Sequence, residues 1–219
     1  MSVNTDIDAF VDRIAAARAV IPRRRSALVA VSGIDGSGKG YLTAKIVALL
    51  RARALRVASI NIDGWLNLPH VRFAAVDPAE HFYQHAIRFE QLFDQLVLPL
   101  RERRSLRIEA DFAAETATEY RKQTYAFDDV DIIALEGIYL LKRALRAHYD
   151  LSLWIECSFR TALERALARG QEGLSSDATV EAYRTIYFPA QEIHFARDDP
   201  RAAATAIVIN DPRLRSTGG

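Results

Sequence analysis

The sequence predicts an α/β fold, a three-layer sandwich built on a five-stranded parallel sheet. Five short apolar runs rich in strand-forming residues alternate with segments of helical periodicity. Continuous apolar runs are typical of strands that helices cover on both faces, as in parallel sheets. The 219 residues, of which 50% are hydrophobic, suffice for one sizeable core and are few for two. We therefore predict a single domain over 1–219.

The N-terminal third of the chain is predicted to alternate helix and strand. An amphipathic helix within 1–22 has Thr5 as its N-cap and ends at Pro22. The core of the domain is predicted to span 26–211. Its first elements are a strand over 27–31, a helix after residue 40 and a strand over 57–62.

The middle of the chain carries the strongest helical signal, over residues 79–103. Its apolar side chains repeat at alternating steps of four and three: Phe82, Ala86, Phe89, Phe93, Leu96 and Leu100. Pro99 is predicted to bend or end this helix, because proline lacks the backbone N–H that a helix interior needs. The irregular pattern over 105–128 predicts a loop or hairpin.

The last third of the chain supplies the remaining strands and a predicted lid. A glycine- and serine-rich segment over 170–176 predicts a flexible break, and we place the lid at about 159–178. A helix is expected to end before Pro189. The predicted elements are strands over 130–135, 151–155 and 206–209, and helices over 159–169 and 178–188.

The charge balance argues against two classes of partner. The 29 Lys and Arg against 28 Asp and Glu give a net charge of +1, whereas binding to nucleic acid or a membrane surface relies on excess positive charge. No apolar run reaches the roughly 18 residues of a membrane span, and the acidic N-terminus does not resemble a signal peptide. The single cysteine, Cys157, cannot form an internal disulfide. We expect a cytoplasmic protein, and homo-oligomer formation stays open.

A glycine-rich segment follows the first predicted strand and opens a helix. Four of the ten glycines lie within 33–40, which fits the phosphate-binding pattern G-x-x-x-x-G-K except that Gly40 replaces the usual Ser or Thr. Glycines let backbone N–H groups converge on phosphates, and a lysine adds charge that follows the transferred group. A glycine-rich turn with a chance lysine is the alternative. The predicted ATP-binding residues are Gly33, Asp35, Gly36, Ser37, Gly38, Lys39, Gly40 and Tyr41.

Two carboxylates are predicted at the edge of the sheet where parallel strands end and ligands bind. Asp63 follows the second strand, and there it can accept the proton of an attacking hydroxyl and help to hold a metal. Glu136 ends the next buried strand, and there it can hold a Mg²⁺-bound water. The structural alternatives are a turn aspartate beside glycine for Asp63 and a helix cap for Glu136. The missing hydroxyl at Gly40 leaves open how Mg²⁺ is held.

Other candidate residues come from the lid and from helix flanks. Arg165 and Arg169 share a helical face, so their charges repel unless an anion lies near, although a solvated face is an equal alternative. Gln191 and His194 are placed to approach the acceptor or to cap a bent helix. The candidate acceptor-binding residues are Trp65, Tyr83, His85 and Arg88, and the last three could instead belong to the partly exposed flank of a packed helix.

The order of these motifs resembles the uridine kinase and phosphoribulokinase group of P-loop kinases. The resemblance covers most of 26–211: the phosphate loop, Asp63-Gly64-Trp65 after strand two, Glu136-Gly137-Ile138 after strand three, and Arg169-Gly170 before a lid. It implies a five-stranded parallel sheet and MgATP-dependent phosphorylation of an alcohol. It also implies that Asp63 is the base and that Arg165 and Arg169 are the lid arginines.

The acceptor is less closely defined than the reaction. A nucleoside, as in uridine kinases, is the leading prediction, whereas Asp-Gly-aromatic after strand two also resembles pantothenate kinases. The alternatives are therefore a kinase of a pantothenate- or sugar-like alcohol, and a nucleotide-binding regulatory module without catalysis, as Gly40 would allow. An acidic or phosphorylated acceptor would need additional cationic groups in its pocket.

Overall fold

The protein, studied as a computed structural model, contains the predicted five-stranded parallel sheet. The structure describes residues 6–171 and 173–215. The strand order is β2-β5-β1-β6-β7, and an antiparallel hairpin of β3 and β4 lies apart from the sheet. The strands are β1 Ala27–Gly33, β2 Val57–Asn61, β3 Leu106–Phe112, β4 Arg121–Phe127, β5 Ile132–Gly137, β6 Leu151–Glu156 and β7 Ala206–Ile209.

Helices cover both faces of the sheet, which completes the three-layer sandwich. Alternate residues of β1, such as Val29 and Leu28, face opposite layers. One layer holds α1 and α2, and the other holds α4, α5, α6 and α9. The helices are α1 Ile7–Val20, α2 Lys39–Ala52, α3 Pro69–Arg72, α4 Pro78–His85, α5 Phe89–Leu92, α6 Leu98–Arg103, α7 Phe159–Arg169, α8 Ser176–Ala182, α9 Phe188–Asp198, α10 Pro200–Ala203 and α11 Pro212–Arg215.

The first helix has its N-cap one residue later than predicted. Asp6 is the N-cap residue of α1, and the predicted cap Thr5 lies outside the described residues.

Within 6–171 and 173–215, no helix is long and apolar enough to cross a membrane.

The predicted single helix over 79–103 is wrong, because the chain leaves the helix at 86–88. Ile87 forms an antiparallel bridge with Leu66, and the N–H of Arg88 donates to the carbonyl oxygen of Trp65 at 2.9 Å. These hydrogen bonds to a distant segment replace the helical ones, so the apolar repeat continues on two separate helical pieces.

Neither Pro99 nor Pro189 ends its helix, which corrects the predicted helix end before Pro189; at Pro99, where a bend or an end was predicted, the end does not occur. A π-helical segment, Phe93–Val97 or Tyr183–Tyr187, lies just before each proline, and the chain then continues as α6 or α9. A π turn is wider than an α turn, so it makes room for the proline ring and the unpaired carbonyl before it. The helix over 178–188 therefore extends to Asp198.

Candidate functional site

The phosphate loop, residues 33–40, joins the central strand β1 to α2. Gly36 and Gly38 have φ angles of 72° and 86°, in the left-handed region that favours glycine. A Cβ atom at Gly36 would overlap the backbone of Ala162, and one at Gly38 would overlap the side-chain amide of Asn210. The loop therefore needs glycine at both positions for its backbone shape and for close packing against β7 and α7.

Lys39 is the first residue of α2 and lies under the loop. Its side chain is buried, and its Nζ donates to the carbonyl oxygen of Ile34 at 3.0 Å. The first N–H groups of a helix have no partner within the helix, so they face the space in front of the loop together with the positive end of the helix dipole. Tyr41, two residues further along α2, has a side chain that is 75% exposed.

The two predicted lid arginines both contact the phosphate loop, but in different ways. Arg165 donates to the carbonyl oxygens of Gly36 at 3.3 Å, Ser37 at 3.2 Å and Asn210 at 3.0 Å, so it braces the loop. Arg169 lines the cleft and forms an ion pair with Asp35 at 3.1 Å. The structure thus separates one arginine that supports the loop from one that faces the ligand space.

Asp35 is held by charges and by a hydroxyl group. Tyr183 donates a hydrogen bond to its carboxylate, and Arg169 pairs with it. Burial opposes the ionised carboxylate, but the charges of Lys39 and Arg169 and the Tyr183 hydrogen bond outweigh it and lower the pKa of Asp35. Asp35 therefore carries a full negative charge beside Lys39.

Asp63 lies in the short 3₁₀ turn Ile62–Gly64 that follows β2. Its N–H donates to Oδ1 of Asn61 at 2.7 Å, which fixes the turn. The side chain of Asp63 is exposed to the cleft. Desolvation by the surrounding protein atoms nevertheless raises the pKa of its carboxyl. The charge of Lys39 opposes this shift, and the charge of Asp35 adds to it. A carboxylate with a raised pKa is a stronger proton acceptor.

Glu136 lies near the end of β5, where the parallel register places it beside Val31 of β1 and Asn61 of β2. Its side chain is only 7% exposed. Burial raises the pKa of Glu136 to about 7; the charge of Lys39 opposes this shift, and those of Asp63 and Asp35 add to it. A cation placed among these carboxylates would favour the ionised form.

The residues present fit a magnesium ion bound mainly through the nucleotide. No group of three or more His, Cys, Asp or Glu side chains within the described residues is close enough to hold a metal alone. Mg²⁺ commonly binds through one or two carboxylates together with phosphate oxygens and waters. Glu136 and Asp63 are the carboxylates that would hold it, and Glu136 Oε2 lies 3.9 Å from where a Cβ of residue 40 would stand.

A cleft in front of Lys39 extends away from the phosphate loop, and we call its far part the acceptor end. Asp63 interacts electrostatically with Lys39 and also lines an adjoining cavity with Leu66 and Glu115, so it belongs to both parts. The acceptor end combines apolar and aromatic side chains with two amides and one carboxylate: Leu66, Phe82, Ile138, Tyr187, Gln171, Gln191 and Glu115. Pockets of this composition are typical sites for small molecules.

Trp65 and Arg88 are buried beside this cleft without lining it. Arg88 donates to the carbonyl oxygens of Leu66 at 3.2 Å and Asp111 at 2.6 Å, and its guanidinium lies 5.3 Å from the Trp65 ring. The two side chains therefore fasten the hairpin to the sheet and support the wall next to Leu66.

Tyr83 and His85 also lie outside the set of side chains that lines the cleft. Tyr83 is buried, and its hydroxyl donates to Oδ2 of Asp198 at 2.6 Å. The same carboxylate oxygen is 2.7 Å from Nδ1 of His194, which is fully buried. His85 is exposed on α4. These positions match the packed helix flank that was the alternative to acceptor binding.

Of the seven residues of the acceptor end, the sequence pointed to Gln191 alone, and the polar or aromatic residues that it missed include Glu115, Gln171 and Tyr187. Glu115 lies between the hairpin strands and pairs with the buried Arg72 at 3.0 Å. Gln171 lies in the segment predicted as a flexible break, and Tyr187 ends a π turn. No local pattern marks these positions, because only the packing of separate segments brings them together.

The sheet order, the glycine loop with its lysine, Asp63 after β2 and Glu136 near the end of β5 together form the arrangement expected from the resemblance to P-loop kinases. No family model matches the sequence, and no curated protein matches it significantly. Solved structures do match.

Several of the similar structures are described as kinases, some of them provisionally. A possible uridine kinase from Bacillus stearothermophilus is 17% identical with a TM-score of 0.70, over 93% of this chain and 100% of that one. A provisionally assigned fructose transport system kinase from Silicibacter sp. TM1040 is 21% identical with a TM-score of 0.67, over 94% and 99%. D-glycerate 3-kinase from Cryptococcus neoformans is 10% identical with a TM-score of 0.57, over 84% and 87%. These similarities confirm the predicted fold, that of the uridine kinase-like P-loop kinases.

Proposed function

We propose that the protein transfers the γ-phosphate of ATP to a hydroxyl group of a small neutral molecule, with a nucleoside as the favoured acceptor. The observation that carries this proposal is the position of Asp63. Its carboxylate lies in one cleft with Lys39 of the phosphate loop and with the acceptor end. A base between the two ligand spaces is the arrangement that phosphoryl transfer to a hydroxyl requires.

The chain supplies proton transfer and charge for this reaction. As the acceptor oxygen bonds to the γ-phosphorus, its proton passes to the Asp63 carboxylate, and the bond from phosphorus to the bridging oxygen breaks to release ADP. Lys39 and Arg169 offset the negative charge of the transferring group. Mg²⁺, when bound, would neutralise phosphate oxygens, and Glu136 with Asp63 would hold it.

The acceptor end favours a neutral ligand with ring and amide groups. Phe82 and Tyr187, whose ring centroids are 5.0 Å apart, offer aromatic surface, and Gln171 and Gln191 offer amide hydrogen bonds. Among the described residues that line the cleft, the cations are Lys39 and Arg169, both beside the phosphate loop. This composition supports a nucleoside more than an acidic, pantothenate-like acceptor, and a neutral sugar is the second candidate.

An acceptor screen tests the proposal directly. ADP release from MgATP is measured with nucleosides, neutral sugars and hydroxy acids, and a thermal-shift assay with the same compounds reports binding. We expect turnover with at least one nucleoside and none with carboxylate acceptors. Turnover confined to hydroxy acids would overturn the acceptor assignment.

The remaining candidate, a regulatory module without catalysis, is supported by Gly40 alone. It predicts ATP binding that is indifferent to Mg²⁺ and no turnover with any acceptor. The kinase proposal instead predicts that Mg²⁺ tightens ATP binding in wild type and does so less in Glu136→Gln. Binding without this Mg²⁺ effect, together with no turnover in the screen, would favour the regulatory module.

A further inference from the structure

A second charged cavity lies at the amino ends of the sheet strands, whereas the phosphate loop lies at their carboxyl ends. Four arginines and one aspartate line it, and we call it the arginine cavity: Arg18, Arg23, Arg56, Arg104 and Asp131. Arg56 directly precedes β2 and Asp131 directly precedes β5, so the cavity lies at the amino ends of these strands. A strand of seven residues is about 23 Å long, which separates this cavity from the ligand cleft by roughly that distance.

The acidic residues nearby neutralise only part of the positive charge. Asp131 pairs with Arg104 at 2.7 Å, and Asp129 pairs with Arg56 at 2.5 Å and with Arg104 at 2.7 Å. Among the described residues, these two carboxylates thus face four guanidinium groups, which leaves an excess of two positive charges at the cavity. Concentrated positive charge of this kind attracts small anions.

Arg18 gives the cavity a buried donor without a hydrogen-bond partner. Its side chain is 8% exposed, and Nη1 donates to the carbonyl oxygen of Ile21 at 3.0 Å. Its Nε is buried, makes no hydrogen bond to any described residue, and is 3.8 Å from Oδ1 of Asp131, too far for one. Because leaving such a donor unpaired is costly, a small movement of the Arg18 side chain that brought Nε to an acceptor in the cavity would be favourable.

Arg23 adds a second donor group, which is exposed. Within 6–171 and 173–215 its side chain makes no hydrogen bond or ion pair, and only its backbone oxygen is used, as the acceptor for Nη1 of Arg104 at 2.8 Å. Arg23 can therefore turn toward a ligand without losing a structural contact.

We propose that the arginine cavity binds the phosphoryl group of a small molecule. Guanidinium groups present paired N–H donors that match phosphoryl oxygens, which makes arginine a common phosphate ligand. The rest of the lining is Ala19 and Ile21, so the described lining residues offer no aromatic ring on which a base could stack. The site recognises the phosphoryl group itself and acts separately from the cleft in which the kinase reaction is proposed.

Pyrophosphate binding to the full chain, measured by calorimetry at fixed ionic strength, tests this site. Lys39→Ala serves as the background, because it weakens binding at the phosphate loop. In that background we expect pyrophosphate binding to persist, to weaken about three- to tenfold with Arg23→Ala, and to weaken further with Arg18→Gln. The matched control is Arg24→Ala, which removes the same charge from an exposed neighbour outside the cavity lining.

Two results would overturn the proposal. One is the loss of all measurable pyrophosphate binding in Lys39→Ala. The other is an equal effect of Arg23→Ala and Arg24→Ala, which would show general charge attraction alone. Because the Arg23 side chain makes no hydrogen bond or ion pair with any residue that the structure describes, its variant stays informative even if Arg18→Gln fails to fold. A second probe, AMP, should bind no more tightly than inorganic phosphate; a clear preference for AMP would contradict recognition of the phosphoryl group alone.

Discussion

The two ends of the cleft are built in different ways. The phosphate end is one continuous segment, 33–40, whose shape depends on glycine backbone angles and on the start of a single helix. The acceptor end is assembled from separate parts of the chain, including Leu66 after β2, Phe82 on α4, Glu115 between the hairpin strands and Gln191 on α9. Local sequence thus determines the first end, and tertiary packing determines the second.

This difference indicates how substitutions should act. Changes at the phosphate end should affect the reaction with every acceptor, because they alter the handling of the transferred group. Changes at the acceptor end should affect one substrate and spare the nucleotide. Asp63 stands between them, so its substitution should affect the chemical step and the binding of Mg²⁺ and spare the binding of the acceptor.

Lys39→Ala should have the largest effect at the phosphate end. Loss of the buried charge removes stabilisation of the transferring phosphoryl group, so kcat should fall about 10²–10³-fold with any acceptor. Steady-state ADP release measures this. Lys45→Ala, an exposed lysine on the same helix, should leave kcat unchanged; a fall confined to one acceptor would contradict the proposed division between the ends.

Glu136→Gln should stabilise the unliganded protein at neutral and alkaline pH. The folded-state pKa of Glu136 is about 7 against a usual 4.5, so the folded protein binds the extra proton, and stability falls as pH rises from about 4.5 to 7. Above pH 7 the variant should gain about 2–3 kcal/mol in free energy of unfolding, and near pH 4.5 this gain should vanish.

Urea unfolding at several pH values measures the effect of Glu136→Gln. Glu90→Gln, at an exposed glutamate, should show no such pH-dependent gain. A variant as stable as wild type at pH 8 would mean that the surroundings of Glu136 do not disfavour its ionised form. The case for a cation at this position would then weaken.

Gln191→Leu should act at the acceptor end alone. Gln191 is 2% exposed, and its Oε1 is buried without a hydrogen-bond partner among the described residues. For an acceptor that donates a hydrogen bond to this oxygen, KM should rise about tenfold, whereas the KM for ATP should not change. Glu192→Gln, at the exposed neighbour, is the control. Equal changes in both KM values would show that the two ends are coupled.

Gly40→Ser should have the smallest effect. A Cβ at residue 40 would lie 3.9 Å from Glu136 Oε2, an ordinary contact, so the side chain fits. The added hydroxyl should lower the Mg²⁺ concentration for half-maximal activity about two- to fivefold, because it offers the metal a further oxygen ligand. Gly40→Ala adds the same Cβ without the hydroxyl and should not lower it; equal effects of the two variants would contradict a role for the hydroxyl.

Much of the fold follows from local sequence, and most of the acceptor end does not. The sheet strands could be predicted because each is a short apolar run. The role of Lys39 could be predicted because four glycines lie close to it in the sequence, within 33–40. The break at 86–88 could not be predicted, because it depends on a bridge to Leu66. Tyr83 lies on a helix near the cleft yet turns toward Asp198, and one sequence does not reveal such a choice of partner.

The most direct test of Asp63 as the base is the effect of Asp63→Asn on kcat and on ligand binding. Asparagine keeps the size of the side chain and removes its capacity to take a proton at neutral pH. With the preferred acceptor, kcat should fall about 100-fold or more, whereas the dissociation constants of the acceptor and of ATP measured without Mg²⁺ should change less than about threefold. A variant that retains the wild-type kcat would contradict the assignment of Asp63 as the base at the junction of the two ends.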